Sequence, residues 1–317
     1  MRIFYLCPDF TAPSGGIKRL YTHVEILRAN SYEAYILHFN RPFKPAWFES
    51  DVPIVYSSDS PSMIPRDTVV IPEGFPNIMK QLTAMHIRKV VIALNPLYIF
   101  RNLPMGESWI QYGIHWVMTN TRTMGDFITW SMGIEHVHLI GTSLDHSLFY
   151  YEPREKRHQV AYLKRKDTAS EMVEKILKSR ERSLRDLEFI PIENLKIEDY
   201  ARVLRESEIY LNTCIAEGFP RSTMEAMASG CFCAGYHGIG GLDYFVDDGE
   251  RQNFILAEAA DFVDLSKKLV RLLEMIQARD PLLDRIRHNA LATAAQFTPE
   301  LEKESIIDFW RTYFLLL

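Results

Sequence analysis

The sequence predicts an α/β protein built on two doubly wound parallel sheets. Three observations predict it. Short apolar runs alternate with stretches of helical periodicity along most of the 317 residues. The alternation breaks at the polar, aperiodic segment 141–157 and then restarts. Glycine-rich loops follow apolar runs at Gly15-Gly16 and at Gly238 to Gly241, where an open parallel sheet presents its ligand-binding edge. A chain of this length holds two domains of ordinary size.

Residues 2–7 read as a first strand, ended by Pro8. The loop 11–16 leads into a helix at 17–29 with Leu20, Val24 and Leu27 on one stripe. Gly15 and Gly16 between strand and helix would let a ligand approach the backbone; a tight turn explains them equally well. A strand at 34–38 completes an opening βαβ unit. Residues 40–65, rich in Pro, Ser and Asp, read as irregular surface. Strand 68–72 ends at Glu73-Gly74, helix 76–86 follows, and strand 89–94 ends at Asn95-Pro96-Leu97-Tyr98. Asn95 and Tyr98 are therefore candidate lining residues, with turn formation by Asn-Pro as the competing explanation. Strand 115–119, helix 123–132 and strand 137–140 close a first domain, 1–150.

The second domain, 151–298, opens with strand 159–163, at whose end stand Lys164, Arg165 and Lys166. A helix at 170–180, a strand at 187–192, a helix at 197–206 and a strand at 208–212 follow. The next loop carries Glu217 and Gly218, and Pro220 precedes a helix at 222–229 that stops at Gly230. A strand at 231–235, a glycine loop, a short strand at 254–257 and amphipathic helices at 261–278 and 282–296 complete it. The terminal helix, 299–317, presents Ile306, Phe309, Trp310, Tyr313 and Phe314 on one face, which suits core packing or packing across the domains better than a membrane surface.

A helix N-terminus suits phosphate, and carboxylates beside it suit the hydroxyls of a sugar or ribose. Glu217 and Glu225 frame such a helix, with seven residues between them, and Arg165 and Lys166 end a strand on the same expected edge. Two cations there could hold two phosphates and stabilise their charge as a bond to them breaks. Ser222-Thr223-Met224-Glu225 also reads as a capping box with Ser222 as N-cap, which taken alone is the better account of Glu225. Local helix physics asks for no acid at Glu217. A ligand with phosphate in the middle and hydroxyls at both ends, such as a nucleotide-sugar, fits the arrangement.

The net charge of −5 argues against a broad nucleic-acid-binding face. No apolar run approaches the ~20 residues of a membrane span, and the first residues read as a strand rather than a leader. The four cysteines, Cys7, Cys214, Cys231 and Cys233, stand in apolar context without metal spacing, as buried thiols in a cytoplasmic protein do.

Glu217-Gly218-Phe219-Pro220 through Glu225-Ala226-Met227-Ala228-Ser229-Gly230 resembles the acidic pair and EAMA-x-G motif of bacterial retaining glycosyltransferases, family 4, group 1 type. Gly235 to Gly241, Cys7-Pro8-Asp9 with Ser14-Gly15-Gly16-Ile17 and His23, Leu94 to Tyr98, and Tyr162 to Lys166 are similar to a subset of that family. The resemblance implies the GT-B fold, two facing Rossmann-like domains with parallel sheets, the first on the acceptor side and the second holding the donor. It implies transfer of a hexose from a UDP-, GDP- or dTDP-sugar to a glycan, lipid-linked or exopolysaccharide acceptor, with no metal and no cofactor. By position, Glu217, Arg165 and Lys166 would be catalytic. Glu225, Gly218, Phe219, Pro220, Ser222, Thr223, Gly15 and Gly16 would bind the nucleotide-sugar, and Asn95 and Tyr98 would lie on the acceptor side. The implied location is the cytoplasm, with peripheral association at the inner membrane face left open. The alternatives are a nucleotide-sugar epimerase on the same fold and a degenerate nucleotide-sugar binder without turnover.

Overall fold

The structure is a computed structural model that describes residues 1–164 and 168–316. It divides into two compact units, Met1–Gly141 with Glu300–Leu317, and Thr142–Pro299. In chain order the first unit holds β1 (Ile3–Leu6), α1 (Gly15–Ala29), β2 (Ala34–His38), β3 (Ile54–Tyr56), β4 (Thr68–Pro72), α2 (Pro76–Ala84), β5 (Arg88–Ala93), β6 (Trp116–Thr119), α3 (Arg122–Met132) and β7 (His136–Leu139). The second holds β8 (Arg157–Leu163), α4 (Ala169–Arg180), β9 (Glu188–Ile192), α5 (Ile197–Glu206), β10 (Ser207–Asn212), α6 (Arg221–Ala228), β11 (Phe232–Gly235), β12 (Ile255–Leu256), α7 (Phe262–Ala278) and α8 (Leu282–Ala294). The last helix, α9 (Pro299–Leu315), belongs to the first unit from Glu300 onward.

In the first unit the described strands form a parallel sheet of order β3-β2-β1-β4-β5-β6-β7. The chain winds outward from β1 to β3, then returns to β4 and winds the other way, so β1 and β4 flank the switch point. β1 is buried along its whole length, as a central parallel strand must be. Ile3 and Tyr5 meet Leu20, Val24 and Leu27 of α1 and Ile306, Phe309, Trp310 and Tyr313 of α9 in one hydrophobic cluster. Trp310 donates its indole N–H to the Tyr5 hydroxyl at 3.2 Å inside that cluster. The aromatic face of the terminal helix therefore fills the core of the first unit, and the second unit begins at Thr142 instead of near 151. One strand, β3, lies inside the stretch expected to be irregular. It is three residues long at the sheet edge and half-buried, too short to show a period.

The second unit's described strands form a parallel sheet of order β12-β11-β10-β8-β9. Its switch point lies between β8 and β10. Alternate residues of each strand serve opposite faces. Ala161, Tyr210, Cys231 and Cys233 join Ala201 and Leu204 of α5, Met224 and Met227 of α6 and Ala290 of α8. Val160, Tyr162, Ile209, Leu211 and Phe232 join Val173 of α4 and Leu265, Leu269 and Leu272 of α7. With both faces covered, ligand access is left to the strand ends. Among the described residues no helix is long and apolar enough to cross a membrane.

Candidate active site in the second unit

The loops that leave the C-terminal ends of β8, β10 and β11 lie side by side, because those three strands are neighbours in the sheet. After β8, Lys164 pairs with Glu193 at 3.5 Å on the surface; the next two residues, Arg165 and Lys166, lie outside the described residues. The helix that follows is tied to the first residue after β10 by a buried hydrogen bond, 2.9 Å, between the hydroxyls of Ser170 and Thr213.

After β10 the chain is shaped by Asn212. Its side-chain amide donates to Tyr236 O (2.7 Å) and its carbonyl oxygen accepts from Tyr236 N (2.8 Å), which stitches the 212–220 loop to the loop after β11. Glu217 is half-buried, with Oε2 shielded from solvent. Its backbone oxygen accepts from Gly240 N at 2.8 Å. Gly218, Phe219 and Pro220 are buried. The Phe219 ring packs edge-on against Tyr244 (5.8 Å) and Phe297 (5.1 Å), so it anchors the loop in the core, and a ligand could meet only its backbone.

Pro220 occupies the N-cap of α6, and the helix begins at Arg221, one residue before the expected start. Ser222 is therefore at the second helical position, and the expected capping box does not form. With the cap at Pro220, Glu225 is the fifth helical residue, past the third position from which a capping acid reaches back. Instead Glu225 Oε2 accepts a hydrogen bond from Tyr200 on α5 at 2.6 Å, and Oε1 lies 3.7 Å from Arg221 Nη1. Glu225 is only 6 % exposed. Burial beside this carboxylate pushes the Tyr200 hydroxyl well above its ordinary pKa and keeps it a donor.

Ser222 retains 7 % of its surface and Thr223 none, so Ser222 and the first-turn N–H groups are what an anion would reach first. The hydroxyls of both are buried without a hydrogen-bond partner among the described residues. Among the described residues no three His, Cys, Asp or Glu side chains gather as metal ligands would.

The remaining candidates belong to the first unit. Gly15 and Gly16 are the first two residues of α1, capped by Ser14, whose hydroxyl accepts from Ile17 N at 3.5 Å. A Cβ on Gly15 would meet open space; one on Gly16 would make ordinary contact with Leu94 at 3.9 Å. Asn95 caps a short 3-10 turn, Pro96–Tyr98, by accepting from Leu97 N at 2.9 Å, the turn role that competed with ligand binding. Tyr98 is exposed, with the Arg101 guanidinium 5.2 Å above its ring. Sequence reasoning did not single out Tyr200 or Asn212. Nothing local marks them, because each acts on a partner more than twenty residues away.

Residues 166–275 match the family described as Glycosyl transferases group 1. The chain is 30% identical over 161 residues to an alpha-1,6-glucosyltransferase of Actinobacillus pleuropneumoniae serotype 7 (strain AP76). That match covers 44% of this chain and 47% of the relative, so it spans about half of that protein's length. Among solved structures, sucrose-phosphate synthase from Thermosynechococcus elongatus is similar over 100% of both chains, with a TM-score of 0.75 at 11% identity. Anabaena HepE in complex with UDP-glucose is similar over 98% of this chain and 100% of its own, with a TM-score of 0.67 at 13% identity. The chain has the GT-B fold, and its segment 166–275 is similar to the glycosyl transferases group 1 family.

Proposed function

We propose that this chain is a retaining glycosyltransferase that moves a hexose from a nucleotide-diphosphate sugar to a glycan or lipid-linked cell-envelope acceptor. The observation that carries the reading is that the loop from β10 into α6, which holds Glu217, and α6 itself, which holds Glu225, follow the strand ends beside the β8/β10 switch point. In this reading the first turn of α6 and Ser222 take a phosphate, Glu225 takes the ribose and Glu217 takes hydroxyls of the transferred sugar. Arg165 and Lys166, which end the neighbouring strand in the sequence, stabilise the diphosphate as it leaves. Gly15 and Gly16 leave the N-terminus of α1 open to the donor, and Asn95 and Tyr98 belong to the acceptor side.

Retention follows if the acceptor oxygen bonds to the anomeric carbon on the face from which the phosphate departs. The electron pair of the broken C–O bond leaves on the diphosphate, and a phosphate oxygen takes the acceptor's proton. No side chain has to act as a nucleophile, and no metal or cofactor enters. Glucose is the first sugar to test, because the A. pleuropneumoniae relative is a glucosyltransferase and HepE was solved with UDP-glucose. A cytoplasmic enzyme meeting its acceptor at the inner membrane face is consistent with this chemistry.

The test is release of nucleoside diphosphate from UDP- and GDP-hexoses, with and without glycan acceptors. We expect slow donor hydrolysis by the wild type, acceleration by acceptor, and a loss of about a hundredfold or more in Glu217→Ala, as for removal of a preorganised polar group at a reacting centre. Turnover left intact in Glu217→Ala would remove Glu217 from the site and the reading with it.

A further inference from the structure

We propose that Glu73 is a ligand-binding residue of the first unit, whose carboxyl takes a hydroxyl of the sugar that receives the transferred hexose. The naming of that sugar as the acceptor rests on the glycosyltransferase reading; the sugar site itself does not.

Glu73 directly follows β4, which lies beside β1 at the switch point of the first sheet, where an open parallel sheet takes its ligands. The residue is buried, and its Oε1 accepts from the backbone N–H groups of Leu94 (3.1 Å) and Asn95 (2.7 Å) beyond β5. Among the described residues no side chain donates to either carboxyl oxygen, and no cation pairs with the acid. An amide would serve the two backbone donors at a lower cost of burial. An acid there, with both bonds on one oxygen, has acceptor capacity to spare. Its neighbours are already engaged. Asp9, after β1, bonds to His38 (3.0 Å), to Phe39 N (3.1 Å) and to Asn40 N and Nδ2 (3.0 and 2.9 Å). The side-chain oxygen of Asn95 is taken by Leu97 N. Aromatic rings share this edge of the sheet. Phe75 lies 6.2 Å from Phe39, both half-buried, and the exposed Tyr98 belongs to the turn that meets Gly74.

A small polar cluster among aromatic faces is the usual make-up of a small-ligand site. Burial raises the Glu73 pKa to about 7, so near neutrality the group is present as acid and as carboxylate. A hydroxyl suits both forms, because it donates to the carboxylate and accepts from the acid. An ammonium suits only the charged form. The bond to the carboxylate is the stronger of the two, so a sugar should bind more tightly as pH rises through 7. The charged and titratable groups on the adjoining loops are Asp9 and His38, which pair with each other, and Arg101, whose guanidinium lies over Tyr98; none of them bonds to Glu73. Glutamine at 73 keeps the oxygen that holds Leu94 and Asn95 and removes the titration, so it separates Glu73 from His38.

The experiment is titration of the full chain, without nucleotide, by saturation-transfer NMR at pH 6 and pH 8. The probes are glucose, galactose, N-acetylglucosamine, maltose and, as the cationic control, glucosamine. At least one neutral sugar is expected to bind, about fivefold or more tightly at pH 8 than at pH 6, the step from a neutral to a charge-assisted hydrogen bond. Glu73→Gln is expected to bind that sugar about fivefold more weakly than wild type at pH 8, with no change between the two pH values. Its melting temperature checks that it is folded, and the wild-type pH profile decides the matter by itself if it is not. No binding of any neutral sugar, binding of glucosamine alone, a flat wild-type profile, or a folded Glu73→Gln that matches wild type at both pH values would each overturn the proposal. Release of nucleoside diphosphate from UDP- or GDP-hexoses alongside any of those results removes the Glu73 site and leaves the glycosyltransferase reading standing. The expected sugar binding in a chain that turns over no donor supports the site and removes the acceptor naming with that reading.

Discussion

Glu73 carries the clearest pH signature of any single residue here. It is 8 % exposed at the end of β4, where its Oε1 accepts the backbone N–H groups of Leu94 (3.1 Å) and Asn95 (2.7 Å). Burial raises its pKa from 4.5 to about 7, against the opposing pull of those N–H donors. A carboxyl whose pKa is raised on folding binds more protons folded than unfolded. Its contribution is present at low pH and is lost as pH rises through about 7. Glu73→Gln keeps an oxygen acceptor for both N–H groups and removes the charge. The stability of wild type relative to Glu73→Gln should fall by about 3 kcal/mol between acid and mildly alkaline pH. Denaturant melts of both proteins at pH 5 and pH 8 test it, and a pH-independent difference refutes it.

The same scale decides what could be read from the chain alone. Glu217 was visible because no helix cap or turn asks for an acid there. Glu225 was visible but mistaken in its local role, because Pro220 takes the cap that Ser222 was expected to fill. Tyr200 was invisible because its partner is set by how α5 lies on α6, which no local pattern encodes.

At the scale of elements, strands and helices were legible as periods, and the loops around the site were legible as glycines. Two of those glycines are required by close approach. A Cβ on Gly235, where φ is +140°, would stand 1.8 Å from Asn212 O, and one on Gly240 would stand 2.0 Å from Gly218 O. The loop after β11 thus lies directly on the loop that carries Glu217. Gly240→Ala must push the Gly218 peptide aside, and with it Glu217 and the first turn of α6. We expect UDP or GDP affinity to fall by about tenfold or more and the melting temperature to drop by several degrees. Gly249→Ala is the control: nothing stands within 4 Å of its added Cβ, although its φ of +70° carries some strain. Nucleotide affinity equal in Gly240→Ala and Gly249→Ala would show that the two loops move independently. What escaped the sequence at this scale is what has no period, namely the three-residue β3.

The whole molecule was legible in class and in its two halves, but the route of the chain was not. The terminal helix returns to the first unit, since Ile306, Phe309, Trp310 and Tyr313 complete the cluster around Ile3 and Tyr5. An amphipathic helix shows that it has a face to bury and not which core will take it. Conversely, the two clusters on the faces of the second sheet draw all their residues from Thr142–Pro299, and so do Glu217, Ser222, Glu225 and Tyr200. A fragment of residues 142–299 should therefore unfold cooperatively by itself and bind UDP or GDP within about tenfold of the full chain. Residues 1–141 without 300–317 should not, because removing one buried aromatic typically costs about 3–5 kcal/mol and α9 supplies several to the first core. Differential scanning calorimetry of both fragments, with and without nucleotide, gives the answer. A folded 142–299 fragment that binds no nucleotide the full chain binds would mean that residues of the first unit are indispensable to the donor site, and the assignment of that site to the second unit alone would have to be abandoned.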